Sequence, residues 1–256
     1  MKKYLSIMLL LVTLSCHHNN NSSVPQPTGG IINFKITNRM NGQNLNFNQK
    51  YITPLEDTIT INDYKYYISN IQLISSNGNY IVPASYYLID VSKGSTDTIV
   101  ISNVPAGSYT QINFSIGIDS AVNSSAEIQT EPVALDPTVN AEMNWGWGPG
   151  FGYKFLLLQG NFYDSATTPP TSPFLFHIAD NNNYKIKSFN STTPNWSAIV
   201  VQTGKTSEIN INFNLDSLFK GINLYSEYSV TSPQSEGVTI ANNYSDMPQL
   251  MGIINP

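Results

Sequence analysis

Few side chains in this sequence can do chemistry. It carries three histidines and one cysteine in 256 residues. His17 and His18 lie in a polar N-terminal stretch, so His177 is the one imidazole beyond residue 30. Imidazole and soft sulfur ligate soft and borderline transition metals, which makes His177 and the methionines the candidate metal ligands, with Met143 the one inside a Gly- and Trp-rich segment. A single histidine is a poor metal site by itself. The alternatives are a strand-edge imidazole satisfied by a backbone carbonyl for His177, and apolar loop packing for Met143.

Trp145 and Trp147 sit among Gly146, Gly148, Gly150 and Gly152. Their indoles either plug the open end of a β-sandwich or present reactive, ligand-stacking rings. Asp119 and Asp136 stand at the two ends of the first part of the same irregular stretch, as hydrogen-bonding pins or as oxygen ligands for a hard cation such as calcium. Catalysis by a nucleophile and base would have to be assembled around one histidine. The sequence also lacks a serine elbow and a Gly-rich phosphate loop, so the expectation is a protein that is not an enzyme.

The cysteine has a different role. Lys2 and Lys3, an apolar run from Leu5 to Leu14, and Ser15 precede Cys16. This is a signal peptide too short to span a bilayer, with Cys16 where a lipoprotein carries its acyl chains. Residues 1–15 are read as the signal, residues 16–30 as a flexible tether poor in apolar side chains, and residues 31–256 as one domain. The expected address is the cell envelope, lipid-anchored in the outer membrane and facing the periplasm. With 11% charged residues, a net charge of −5 and a pI near 5.1, there is no basic surface for phosphates, and nucleic acid is excluded as a partner.

The elements that must hold these residues are strands. Ile31–Thr37 alternates apolar and polar side chains, and Tyr64–Ser75 is dense in aromatic and β-branched residues. Asn77-Gly78 marks a hairpin. Further strands are read at Leu45 to Tyr51, Tyr86 to Val91, Asp97 to Ile101, Tyr109 to Ile118, Tyr153 to Phe162, Phe174 to Ala179, Ser197 to Val201 and Glu208 to Leu215. In Tyr109 to Ile118 the alternation places Ile112, Phe114, Ile116 and Ile118 together on a core face. The expected fold is all-β, an antiparallel β-sandwich with a long Gly/Trp-rich loop over residues 119–152. After about residue 221 the patterning weakens, and the tail is left open between wrapping the sheet and disorder.

Four ordered segments resemble one family: Tyr66 to Leu73; Val104 to Tyr109 with Phe114 to Asp119; Leu135-Asp136-Pro137 with Met143 to Trp147 and Gly152 to Phe155; and Phe174 to Ile178. Together they resemble the MbnP-like family, copper-binding envelope proteins related to the methanobactin-associated periplasmic protein. The resemblance implies a β-rich exported protein that binds copper and serves as substrate for a dihaem peroxidase-like partner that oxidises a tryptophan to kynurenine. Trp145 or Trp147 matches that tryptophan and His177 the histidine of the apolar strand. Related sites use two histidines, and a second is missing here outside the tether. Two other readings stand beside this one: a carbohydrate or surface-ligand binding module using the exposed indoles, and a structural lipoprotein whose loop docks another envelope protein.

Overall fold

A computed structural model describes residues 28–47, 49–146, 152–231 and 235–256. The signal sequence, Cys16, the histidine pair and Trp147 lie outside these residues. The strands run β1 (Gly30–Met40), β2 (Gln43–Asn44), β3 (Lys50–Ile52), β4 (Thr58–Ser75), β5 (Gly78–Ile81), β6 (Tyr86–Asp90), β7 (Thr96–Val104), β8 (Gly107–Tyr109) and β9 (Gln111–Ile116). After the long loop come β10 (Leu156–Tyr163), β11 (Thr171–Ile178), β12 (Lys185–Asn190), β13 (Ile199–Val201), β14 (Thr206–Asn214), β15 (Ser229–Thr231) and β16 (Pro248–Ile254). Short helices interrupt them: α1 (Ser120–Asn123), α2 (Leu215–Leu218), α3 (Leu224–Glu227) and α4 (Ser235–Ser245). Among the described residues no helix is long and apolar enough to cross a membrane.

Two sheets pack face to face. The smaller is ordered β16-β14-β1-β2, with β7 also on β1; the larger is ordered β12-β9-β4-β10-β11-β15, with β3, β5 and β6 along β4. Between them Ile32, Phe34 and Ile36 of β1 meet Ile59, Ile61, Tyr64, Tyr66 and Ile68 of β4 in one core. The alternation of β1 is strict, every second side chain being buried, as one apolar face demands. The sandwich is all-β but not wholly antiparallel, because β1 runs parallel to β14 and β11 parallel to β15.

The tail is built into the fold. α4 contributes Ile240, Ala241 and Tyr244 to the core, and β16 pairs with β14 along residues 248–254. Its weak pattern reflects an edge strand, in which Met251 and Ile254 stay exposed. The expected strand over Leu45 to Tyr51 breaks into β2 and β3, with Leu45 buried between them. β12 escapes the alternation rule because its apolar Ile186 faces outward at 67% exposure.

The β4 strand positions the long loop. It pairs with β10 through residues 59–66 and with β9 through residues 68–74. At the change of partner Tyr67 accepts from the Gly117 amide at 3.0 Å and donates its own amide to Phe155 at 3.0 Å. The chain therefore leaves the sheet at Gly117 and returns at Phe155 side by side. Gly117 has φ +108°, and a Cβ there would meet the Phe155 ring at 2.6 Å, so only glycine makes this exit. The same break turns Ile118 over. It joins a second cluster on the outer face of the larger sheet rather than the core of Ile112, Phe114 and Ile116.

Candidate functional site

The second cluster is the floor of the site. Tyr67, Ile118, Leu135, Met143, Tyr153, Phe155 and Leu157 pack together under the loop. Polar bonds tie the loop down: Tyr67 Oη donates to the Ala134 carbonyl at 2.8 Å, Tyr153 Oη to that of Leu135 at 3.0 Å, and Asn123 Oδ1 accepts from the Tyr153 amide at 3.1 Å. Burial raises the Tyr67 phenol far above its ordinary value, so it acts as a neutral donor.

Met143 is fully buried in this cluster. Its thioether is packing against Tyr67, Leu157 and their neighbours, the apolar alternative set against ligation. Asp119 caps α1 through the amides of Ala121 and Val122 and accepts from Tyr86 Oη at 2.6 Å and Asn70 Nδ2 at 3.0 Å. These donors hold its carboxyl below the ordinary value against the opposing cost of burial. Asp136 accepts from the amide and hydroxyl of Thr138 at 2.8 and 2.7 Å. Each aspartate is engaged in its own turn. Among the described residues no three His, Cys, Asp or Glu side chains gather as a metal cluster.

From this floor a short hairpin rises. Asn144 bridges Tyr153, the Trp145 amide donates to the Gly152 carbonyl at 2.9 Å, and the Lys154 amide donates to that of Met143 at 2.8 Å. Asn144 Oδ1 accepts from the Gly146 amide at 2.7 Å and turns the chain at its φ of +68°. The hairpin lays Trp145, half-buried, against the outer face of the larger sheet. It does not plug the open end between the sheets.

What lies beneath Trp145 follows from register. β10 pairs Leu157 with Lys65 on one side and His177 on the other, and Gln159 with Asp63. Alternate side chains share a face, so Lys65, Asp63, Leu157, Gln159 and His177 all point outward. The imidazole of His177 lies 5.7 Å from the Trp145 ring, centre to centre, inclined at 64°. That is an edge-to-face contact. Lys154 reaches over the same indole, its Nζ 4.6 Å from the ring centre, and donates to the Glu142 carbonyl at 2.6 Å.

Electrostatics leave His177 neutral. Burial, reinforced by the Lys154 ammonium and only partly opposed by Asp63, lowers its pKa from 6.5 to about 4. Nε2 of His177 lies 2.7 Å from the Gln159 amide nitrogen. With that nitrogen donating, Nε2 is the acceptor and Nδ1 carries the proton; turning the amide over reverses both and frees the Nδ1 lone pair. A metal-bound histidine uses such an acceptor on its second nitrogen. Lys65 is held by Asp63 at 2.7 Å and reaches Glu142 at 3.8 Å.

A model of the MbnP family matches residues 29–236. The chain belongs to the MbnP family. A solved structure, MbnP from Methylosinus trichosporium, is similar at 12% identity with a TM-score of 0.49, covering 82% of this chain and 87% of that one. No curated protein matches the sequence. In this MbnP-family chain the structure brings Trp145 and His177 together and leaves Met143, Asp119 and Asp136 in structural roles. Reasoning from residue types passed over Gln159 and Lys154. The signal for Gln159 was a polar residue two positions on from Leu157, on the same face of β10. For Lys154 it was a lysine set between the aromatic residues Tyr153 and Phe155.

The fit of copper can be judged from these donors. One neutral imidazole is present, the thioether of Met143 is committed to packing, and an ammonium stands beside the pair. Among the described residues the encoded side chains do not complete a copper site.

Proposed function

We propose that this chain is an exported, lipid-tethered copper-handling protein of the bacterial envelope, with Trp145 and His177 as its working pair. It acts as a binding protein and as the substrate of a dihaem peroxidase-like partner, not as a catalyst. One observation carries this reading: a half-buried indole seated edge-on against a neutral imidazole, 5.7 Å away, on a rigid sheet face. The family supplies the connection to copper. Oxidative opening of the Trp145 indole would turn its ring nitrogen into an aromatic amine beside His177, adding a donor that the unmodified chain lacks. Unmodified protein is accordingly expected to hold copper weakly. The Lys154 ammonium over the ring argues against the carbohydrate-binding alternative, which needs an open aromatic face.

The test is intact and peptide mass spectrometry, with metal analysis, on protein purified from its native envelope. The expected result is an acylated N-terminus at Cys16, the kynurenine mass on Trp145 and copper near one per chain. An unmodified Trp145 peptide in metal-free protein, from cells grown with ample copper, would refute the reading.

A further inference from the structure

The sequence carries two Asn-Gly pairs, Asn41-Gly42 and Asn77-Gly78. Each lies at a tight hairpin turn, one joining β1 to β2 and the other β4 to β5. In such a pair glycine puts no Cβ in the way when its backbone nitrogen attacks the asparagine side chain. The two turns nevertheless hold their asparagines differently. At the first, both polar atoms of the Asn41 side chain are engaged: Nδ2 donates to the Ile52 carbonyl at 2.8 Å and to Asp216 Oδ1 at 2.9 Å, and Oδ1 accepts from the Ile52 amide at 2.8 Å. At the second, Asn77 is exposed, and among the described residues its side chain makes no hydrogen bond. Ser75 organises that turn through the backbone alone, its Oγ accepting from the Asn77 amide at 3.2 Å and donating to the Gly78 carbonyl at 2.8 Å. Gly78 has φ +124°, and a Cβ there would meet nothing within 4 Å, so the space over the turn is open.

We propose that Asn77 is a site of spontaneous modification, closing to a succinimide that opens to aspartate or isoaspartate, and that Asn41 is protected from the same reaction by its clamp. In the closing step the Gly78 backbone nitrogen loses its proton and bonds to Cγ of Asn77. The bond from Cγ to Nδ2 breaks, and that nitrogen leaves as ammonia, taking up the proton. Water then adds to one of the two ring carbonyls, giving aspartate with the ordinary backbone or isoaspartate with the backbone running through the side chain. For Asn41 to follow this path, Cγ must swing onto the Gly42 nitrogen and give up all three hydrogen bonds, which slows it by at least roughly tenfold. The consequence at Asn77 is local. Residues 75–80 share a cleft with the turn at 105–109, and neither segment contains a charged side chain, so the product places a carboxylate on a neutral surface. Isoaspartate also lengthens the backbone between Ser75 and Gly78, which are a register pair, and loosens the four-residue β5 from β4. The inference does not rest on the copper reading.

The test ages freshly purified mature protein at mildly alkaline pH, folded or in urea. Peptides containing the two asparagines are followed by mass spectrometry, with isoaspartate told from aspartate by electron-transfer fragmentation. In the folded protein Asn77 is expected to convert at least about tenfold faster than Asn41. In urea the two should convert at similar rates, and Asp216→Ala should narrow the gap in the folded protein. Equal rates in the folded protein, a gap of the same size in urea, or a folded gap that Asp216→Ala leaves unchanged would overturn the proposal.

Discussion

His177 makes the fold sensitive to acid in a calculable way. In the unfolded chain the imidazole takes a proton near its ordinary 6.5; in the folded chain it resists until about 4. Between those values the unfolded state binds more protons, so stability falls as pH falls through the window. Above about pH 7 the contribution is complete, and below about pH 4 it is gone. A depression of this size corresponds to roughly 3 kcal/mol as a ceiling. The imidazole is only partly buried, and solvent screening reduces the expected loss to about 1–2 kcal/mol. The assay is urea denaturation of metal-free protein at several values between about pH 7.5 and pH 4.5, comparing the parent with His177→Gln. Carboxylates titrate in both proteins, so the difference between the two curves isolates the imidazole. The parent should lose about 1–2 kcal/mol more than the variant over that range. Parallel curves would refute the account of a buried, neutral histidine opposed by Lys154.

Three further substitutions test the frame that carries the site. Gly160→Ala would drive a Cβ into the Thr60 carbonyl and to 2.7 Å from the Phe174 ring, forcing β4 and β10 apart; the expected cost is about 3 kcal/mol or more, and a melting temperature close to the parent's would contradict the close approach. Asp119→Ala removes the α1 cap together with the acceptor for Tyr86 and Asn70, about 2–3 kcal/mol. Because the carboxyl is held below its ordinary value, that stabilisation is present above about pH 4 and lost as the pH falls through the lower folded value. A full-size difference that persists at low pH would count against the charged acceptor. Tyr153→Phe leaves the Leu135 carbonyl without its 3.0 Å donor and should cost about 1 kcal/mol while exposing the 133–140 segment to faster hydrogen exchange. Unchanged exchange there would show that the phenol does not pin the loop.

Much of this architecture was legible in the sequence, for identifiable reasons. Strict alternation in β1 and the aromatic density of β4 report a buried face directly, because side-chain direction follows a period of two. Where the chain departs from that period, the pattern misleads. Gly117 moves Ile118 to the opposite face, and an outward Ile186 hides β12. Pairing direction is not written in alternation at all, which is why the parallel contact of β1 with β14 was not foreseen. The site divides the same way. His177 and Trp145 stand out by type, being rare groups with particular chemistry. Gln159 and Lys154 are common residues whose significance comes from what the sheet register and hairpin place next to them.

That contrast explains why the site lies where it does. β4 runs for eighteen residues and changes partner from β10 to β9 at Tyr67. At that point the chain leaving β9 at Gly117 and the chain returning to β10 at Phe155 both bond to Tyr67. The return hairpin then lies on the outer face of β10 and β11, where outward positions are fixed by register as Leu157, Gln159 and His177. In that hairpin Trp145 stands across from Gly152 and lies against His177, while Lys154, across from Met143, reaches over the same indole. The proximity of indole, imidazole and ammonium is thus a consequence of where β4 exchanges neighbours. A one-residue slip of β10 and β11 against β4 would turn His177 and Gln159 toward the core.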